Sequence, residues 1–298
     1  MTRQSRTVTM AYRTVIEALR TQRAATLAQL AALPSDGWEI VCEGGSRPRV
    51  RDIAGHLLAV DTAAVTGRLL PVMRAGSLVE LAGWDDDAVA RYAEQPPEEL
   101  RVELARVGDR LAHLAGRVPR AAAQIPVSTV LGRQPLGVLL ARRVVNEWVR
   151  TDGIARATGA ARRPAPGVPA VLTLGVLRAL PALTLPHMEV SAGVVRLVVG
   201  IADGPEAPVD PDDRAAPRVT WSLDFARRQY GRRVSAPPDA TVRLHATHLA
   251  LVAAGRRHCD TDVAVDGDHE LAATVLAELA RAATRAHSPN AVDGRFLY

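Results

Sequence analysis

The stretch from Arg142 to Gly159, RRVVNEWVRTDGIARATG, constrains the fold more than any other part of this chain. Val144, Val145, Trp148 and Val149 recur at i, i+1, i+4 and i+5, the spacing of one apolar helix face. Gly159 stands where a left-handed residue would end that helix. Asn146 and Arg150 are four apart and share a side, with Glu147 and Asp152 next to them. Polar residues at i and i+4 make half of a metal site when their types can ligate. Asn is a weak neutral oxygen donor, and Arg is no ligand because its guanidinium stays protonated. Glu147 is a stronger donor, but it sits about 100° round the helix from Asn146.

Three further helices are predicted ahead of this one. Tyr12 to Leu33 carries Val15, Ile16, Leu19, Leu27, Leu30 and Leu33 near helical spacing, and Pro34 to Gly37 stops it. A second helix is predicted from Val50 to about Ala75, with Ile53, Leu57, Val60 and Ala64 as its apolar positions. Pro96 and Pro97 followed by Glu98 and Glu99 make a helix N-terminus, and the third helix runs to about Arg117. The fourth is predicted over Gln134 to Gly159, and four long helices joined by loops read as a bundle.

After the Pro/Gly-rich break near Ala160 to Pro169, the period changes. Leu172 to Leu183 reads as one more helix. Strands are expected at Val190 to Val199, Arg218 to Phe225, Thr241 to Ala246 and Asp262 to Val265. A short helix is expected from Thr247 to Ala254, and Asp268 is placed to cap a closing helix through about Arg285.

VRDIAGHLLAVD (Val50 to Asp61) together with EWVRTDGIARATG (Glu147 to Gly159) resembles the mycothiol-dependent maleylpyruvate isomerase family. HLALVAAGRRHCDTDVAVDGDHELAATVLAELA resembles that family's C-terminal domain. The resemblance implies an α+β two-domain protein. Residues 10–160 would be a DinB-like four-helix bundle, 161–187 a linker with a helix, 188–286 a smaller α/β sterol-carrier-like domain, and 287–298 a tail. It implies a divalent metal, zinc foremost, with His56 as one ligand and Asn146 and Arg150 at the other two positions. Gly153 stands where the family has an Asp. In that reading Asn146 or Glu147 completes a weak metal set and Arg150 holds a substrate carboxylate. The activity implied is thiol-dependent isomerisation or S-transfer, using mycothiol, on a small carboxylate-bearing electrophile. The alternative is a metal-free small-anion-binding or scaffold protein on the same fold, with Arg150 replacing a metal ligand.

Each candidate has a plainer reading beside it. His56 could be a buried histidine hydrogen-bonded across the bundle, and Arg150 could form an ion pair with Glu147, Asp52 or Asp61. Glu80 and Asp85 to Asp87 around Trp84 read as a solvated acidic loop. His245 and His248 read as surface histidines, and His258, Cys259 and Asp260 as adjacent turn residues that do not share one ion.

Composition excludes other classes. All 37 basic residues are Arg, scattered among 32 acids, and aromatics are only 3%, so no basic stripe interleaved with aromatics is present and no nucleic-acid partner is expected. Two distant cysteines make neither a disulfide framework nor a thiolate zinc site. No apolar run approaches a spanning helix and the N-terminus has no apolar leader, so the expectation is a cytoplasmic protein with no membrane partner.

Overall fold

The computed structural model describes residues 2–42, 48–69, 87, 89–129, 132–161, 164–183, 190–202, 216–232, 234, 236–256 and 263–285. The acidic loop around Trp84, the His258–Cys259–Asp260 triplet and the expected tail lie outside these, apart from Asp87.

Helices α1 (Thr2–Ala31), α2 (Val50–Val65), α3 (Pro97–Arg117) and α4 (Leu136–Thr158) pack on one another. Val15, Ile16, Leu19 and Leu30 of α1, Ile53 and Leu57 of α2, and Leu100, Leu104 and Val107 of α3 are all buried, as their three- and four-residue spacing predicts. The Asp52 carboxylate starts α2 by accepting from the Arg49 backbone N–H at 2.9 Å. Gly159, at φ 68°, ends α4 in the left-handed region.

Three boundaries differ from expectation. Helix α1 reaches back to Thr2 instead of starting at Tyr12. Helix α2 stops at Val65, ten residues before Ala75, because the chain turns at Thr66 and Gly67, the latter at φ 75°. Gln134 belongs to a hairpin of β1 (Pro126–Thr129) and β2 (Gly132–Pro135), four-residue strands too short to show a period.

Helix α5 (Val168–Leu183) lies within the segment expected as a linker. It is a core element: Val168, Val171, Leu172, Val176, Leu177 and Leu180 are buried in one cluster with α1, α4 and the sheet. Gly175 sets how closely it meets α4. A Cβ there would stand 2.8 Å from Val145 Cγ2 and 3.0 Å from the Ala141 carbonyl carbon. Gly175→Ala is therefore expected to cost about 1–3 kcal/mol by forcing the two helices apart. A urea unfolding midpoint equal to the native one would contradict this.

The remaining strands form one sheet of β3 (Val194–Gly200), β4 (Arg218–Asp224), β5 (Gln229–Gly231), β6 (Ala240–His245) and β7 (Ala264–Gly267), in the order β5-β4-β3-β6-β7. The β3–β6 pair is parallel and the other three pairs are antiparallel. The apolar run of β3, interrupted only by Arg196, suits its central place, where most of its residues are buried. Helices α6 (Ala246–Ala253) and α7 (His269–Arg285) pack on this sheet, and Asp268 caps α7 by accepting from the Leu271 N–H at 2.9 Å. The architecture is the α+β arrangement expected of the sequence.

His245 and His248, expected at the surface, are buried. The alternation of β6 ends where the chain turns into α6, and His245 serves that turn. Its Nδ1 lies 2.8 Å from Thr247 Oγ1 and its Nε2 lies 3.3 Å from the Ala202 carbonyl.

Helix α4 is the centre of the molecule. From Val138 to Ala155 only Leu139 and Arg150 are not fully buried. A helix enclosed on all sides should be apolar all round. This one instead carries Arg142, Arg143, Asn146, Glu147 and Asp152 in the interior.

Candidate functional site

The polar residues of α4 divide between two faces. Arg143 and Glu147 are four apart on one, while Arg142, Asn146, Arg150 and Gly153 follow the other, within about 80° of one another. The two faces do different things.

On the first, four charges close into a neutral network. Arg23 of α1 grips Glu147 with two parallel bonds, Nε to Oε1 and Nη2 to Oε2, both 2.8 Å. The same Nη2 reaches Asp61 Oδ2 of α2 at 2.6 Å, and Nη1 donates to the Leu104 carbonyl of α3 at 3.0 Å. Arg143 donates from Nε to Asp61 Oδ1 at 2.7 Å and holds an ion contact with Glu147 Oε2 at 3.2 Å. Thr26 donates to Glu147 Oε1 at 2.8 Å. Two cations and two anions thus join four helices with almost no exposure. Gly108 makes the room, since a Cβ there would fall on the Arg23 guanidinium.

Burial opposes ionisation of Asp61 and Glu147, yet Arg143 and Arg23 overcome it and hold both carboxyls below their ordinary values. For Arg23, burial works against the charge and the two carboxylates outweigh it, raising its pKa. A carboxyl depressed in the folded state contributes stability that is fully present above its unfolded pKa. That stability is lost as pH falls through the folded value. The unfolding free energy should therefore be flat between about pH 5 and 7 and fall below about pH 4.5. Glu147→Gln should reduce that acid slope by up to about 1.4 kcal/mol per pH unit, and an unchanged slope in stability-versus-pH curves would contradict the assignment.

Of the expected site residues, Asn146 and Arg150 lie on the second face, Glu147 belongs to the first, and His56 stands on α2. His56, Asn146 and Glu147 are each at most 3% exposed, and Arg150 is half-buried. Arg150 donates from Nε to Asn146 Oδ1 at 3.2 Å. The ion pair expected between Arg150 and Glu147, Asp52 or Asp61 does not form among the described residues. Arg23 and Arg143 hold Glu147 and Asp61, and Arg49 holds Asp52. One turn before Asn146, Arg142 is completely buried and its three guanidinium nitrogens have no hydrogen-bond partner among the described residues. One turn after Arg150, the Arg256 guanidinium packs on Gly153, with Nη1 and Nη2 at 2.8 and 3.0 Å from where a Cβ would stand. Where the resemblance puts an acid, this chain has a hydrogen side chain covered by a cation. Burial pushes the nearby Cys42 thiol up to about 11, against the pull of Arg256, so it stays protonated at neutral pH and is not a nucleophile.

As a donor set for a divalent ion these residues do not fit. Asn146 Oδ1 already accepts from a guanidinium, and both Glu147 oxygens are taken by Arg23, Thr26 and Arg143. No group of three or more His, Cys, Asp or Glu side chains able to hold a metal occurs among the described residues. A fixed guanidinium about 4 Å from a dication costs about 8 kcal/mol at an effective dielectric near 20. The arrangement suits an anion instead.

Sequence reasoning singled out His56, Asn146, Glu147 and Arg150 but not Arg23, Arg142, Arg143 or Arg256. A signal for Arg23 was present: Gln22, Arg23 and Thr26 occupy the stripe positions between Leu19 and Leu30, so polar groups interrupt an apolar face.

No family model matches the sequence, and no curated protein matches it. Two solved structures do match in fold. One is the crystal structure of the mycothiol-dependent maleylpyruvate isomerase, at 15% identity and a TM-score of 0.51, covering 86% of this chain and 92% of that one. The other, a histidine-to-alanine mutant of the same enzyme, gives 13% identity and a TM-score of 0.52 with the same coverage. No helix among the described residues is long and apolar enough to cross a membrane. At these identities the likeness speaks for the backbone alone: this chain has the fold of the mycothiol-dependent maleylpyruvate isomerase.

Proposed function

We propose that the Asn146–Arg150 face of α4 binds a small carboxylate-bearing molecule without a metal, with Arg150 as the group that holds the carboxylate. The observation that carries this reading is the Arg150–Asn146 bond. It orients the guanidinium on α4, at the helix position where the resemblance puts a metal ligand. Asn146 is then a positioning residue. Glu147 belongs to the network behind. Titrating acetate into the full chain at constant ionic strength tests the reading. Arg150→Met should remove a binding event that the native chain shows, and superimposable isotherms would overturn it.

The shared fold favours a second reading, a thiol-dependent isomerase or transferase. A low-molecular-weight thiol such as mycothiol would add to an electrophile whose carboxylate Arg150 steers. Turnover of maleylpyruvate that requires mycothiol and is lost in Arg150→Met would establish it. Absence of maleylpyruvate turnover by the native chain in the presence of mycothiol, which an isomerisation regenerates by elimination, would leave carboxylate binding as the function.

A further inference from the structure

Arg142 has no role in either the ion network or the Arg150 site, and its surroundings are unusual. It is completely buried, and neither Nε, Nη1 nor Nη2 finds an acceptor among the described residues. Its neighbours one turn away on the same helix are the buried Val138 at i−4, Val145 at i+3 and Asn146 at i+4, none of them charged. The closest charged residue along the helix, Arg143, turns to the other face and is bound to Asp61 and Glu147. Burial with no acid beside it pulls the Arg142 guanidinium down to about 9, so it is still cationic at neutral pH. An unpaired charge in such a place costs several kcal/mol, and the chain's own acids nearby are already balanced one for one by Arg23 and Arg143.

We propose that Arg142 is the seat of a second bound anion, a compact monocarboxylate, held by the guanidinium fork. One fixed cation with no acid beside it balances one negative charge. That favours a carboxylate over a phosphate, which is close to dianionic at neutral pH, and the planar fork matches a carboxylate's two oxygens. The seat lies two helical turns, about 12 Å along α4, from Arg150, so it is separate from the site proposed above and does not depend on it.

Isothermal titration of acetate, and separately of inorganic phosphate, into the full-length protein at fixed ionic strength tests this. The native chain should take two acetates, Arg142→Met one, and Arg150→Met one. Arg142→Lys should weaken its site about tenfold, because an ammonium keeps the charge without the fork. Two acetates bound by Arg142→Met would overturn the inference. So would phosphate binding tighter than acetate at the site lost in Arg142→Met. A stoichiometry reduced by Arg142→Met and unchanged by Arg150→Met would uphold this seat and defeat the Arg150 reading, and the reverse would do the opposite. Should Arg142→Met fail to fold, Arg142→Lys decides: native acetate affinity at both sites would overturn the seat.

Discussion

Replacing Glu147 by alanine is expected to cost about 3–5 kcal/mol of folding stability, a large part of what a domain has to lose. The effect does not come from losing one attractive pair. Glu147 accepts from Arg23 through both oxygens, from Thr26, and lies against Arg143. Its removal leaves two buried guanidinium groups with a single carboxylate, Asp61, between them. Arg23→Met combined with Glu147→Leu, which removes a charge of each sign and restores volume, should recover most of the loss, since a buried pair is costly to break and nearly neutral to replace. Urea unfolding of the three proteins measures this. A Glu147→Ala loss under 1 kcal/mol would mean the network contributes nothing beyond packing.

The second large effect concerns metal uptake. Asn146→Glu with Arg150→His is expected to turn a chain that binds no stoichiometric zinc into one that binds about one zinc per chain. The double change removes the cation from the face and puts a carboxylate and an imidazole at i and i+4. His56, buried on α2, is the third ligand that the resemblance implies, and a three-residue zinc set requires one. Neither single change should suffice. Asn146→Glu alone would pair its carboxylate with Arg150, and Arg150→His alone would leave two imidazoles and a neutral amide. Equilibrium dialysis with zinc distinguishes the four proteins, and equal uptake by native and doubly substituted chains would contradict the account.

Much of this was legible before the structure. The stripes of α1, α2 and α3 were written in leucine and valine spacing, and Gly159 and Asp268 marked real helix ends. The hairpin at Pro126–Pro135 and strand β5 were not legible, because three or four residues cannot display a period. The site was half legible. Arg150 at a ligand position announced that metal chemistry was in difficulty, but its partner was misread. Glu147 on the same helix, or Asp52 or Asp61 on the second, looked like the natural partner. The structure gives Glu147 to Arg23, which is 124 residues distant in sequence, and leaves Arg150 with Asn146. Pairings of that kind depend on which helix lies across the core. The inward charges also hid in plain view, since an Arg in a valine-rich helix reads as solvated until the helix proves to be enclosed on every side. Arg142 and Arg143 are adjacent, yet Arg143 is bound twice and Arg142 has no partner among the described residues.

The central claim is that guanidinium groups have taken over the α4 face on which a divalent ion would have to sit. Elemental analysis of the native chain, dialysed with equimolar zinc and then against metal-free buffer, tests it most directly. The account predicts well under one-tenth of a metal ion per chain, unchanged in His56→Ala. One zinc per chain that disappears in His56→Ala would contradict it and return the face to metal-assisted chemistry.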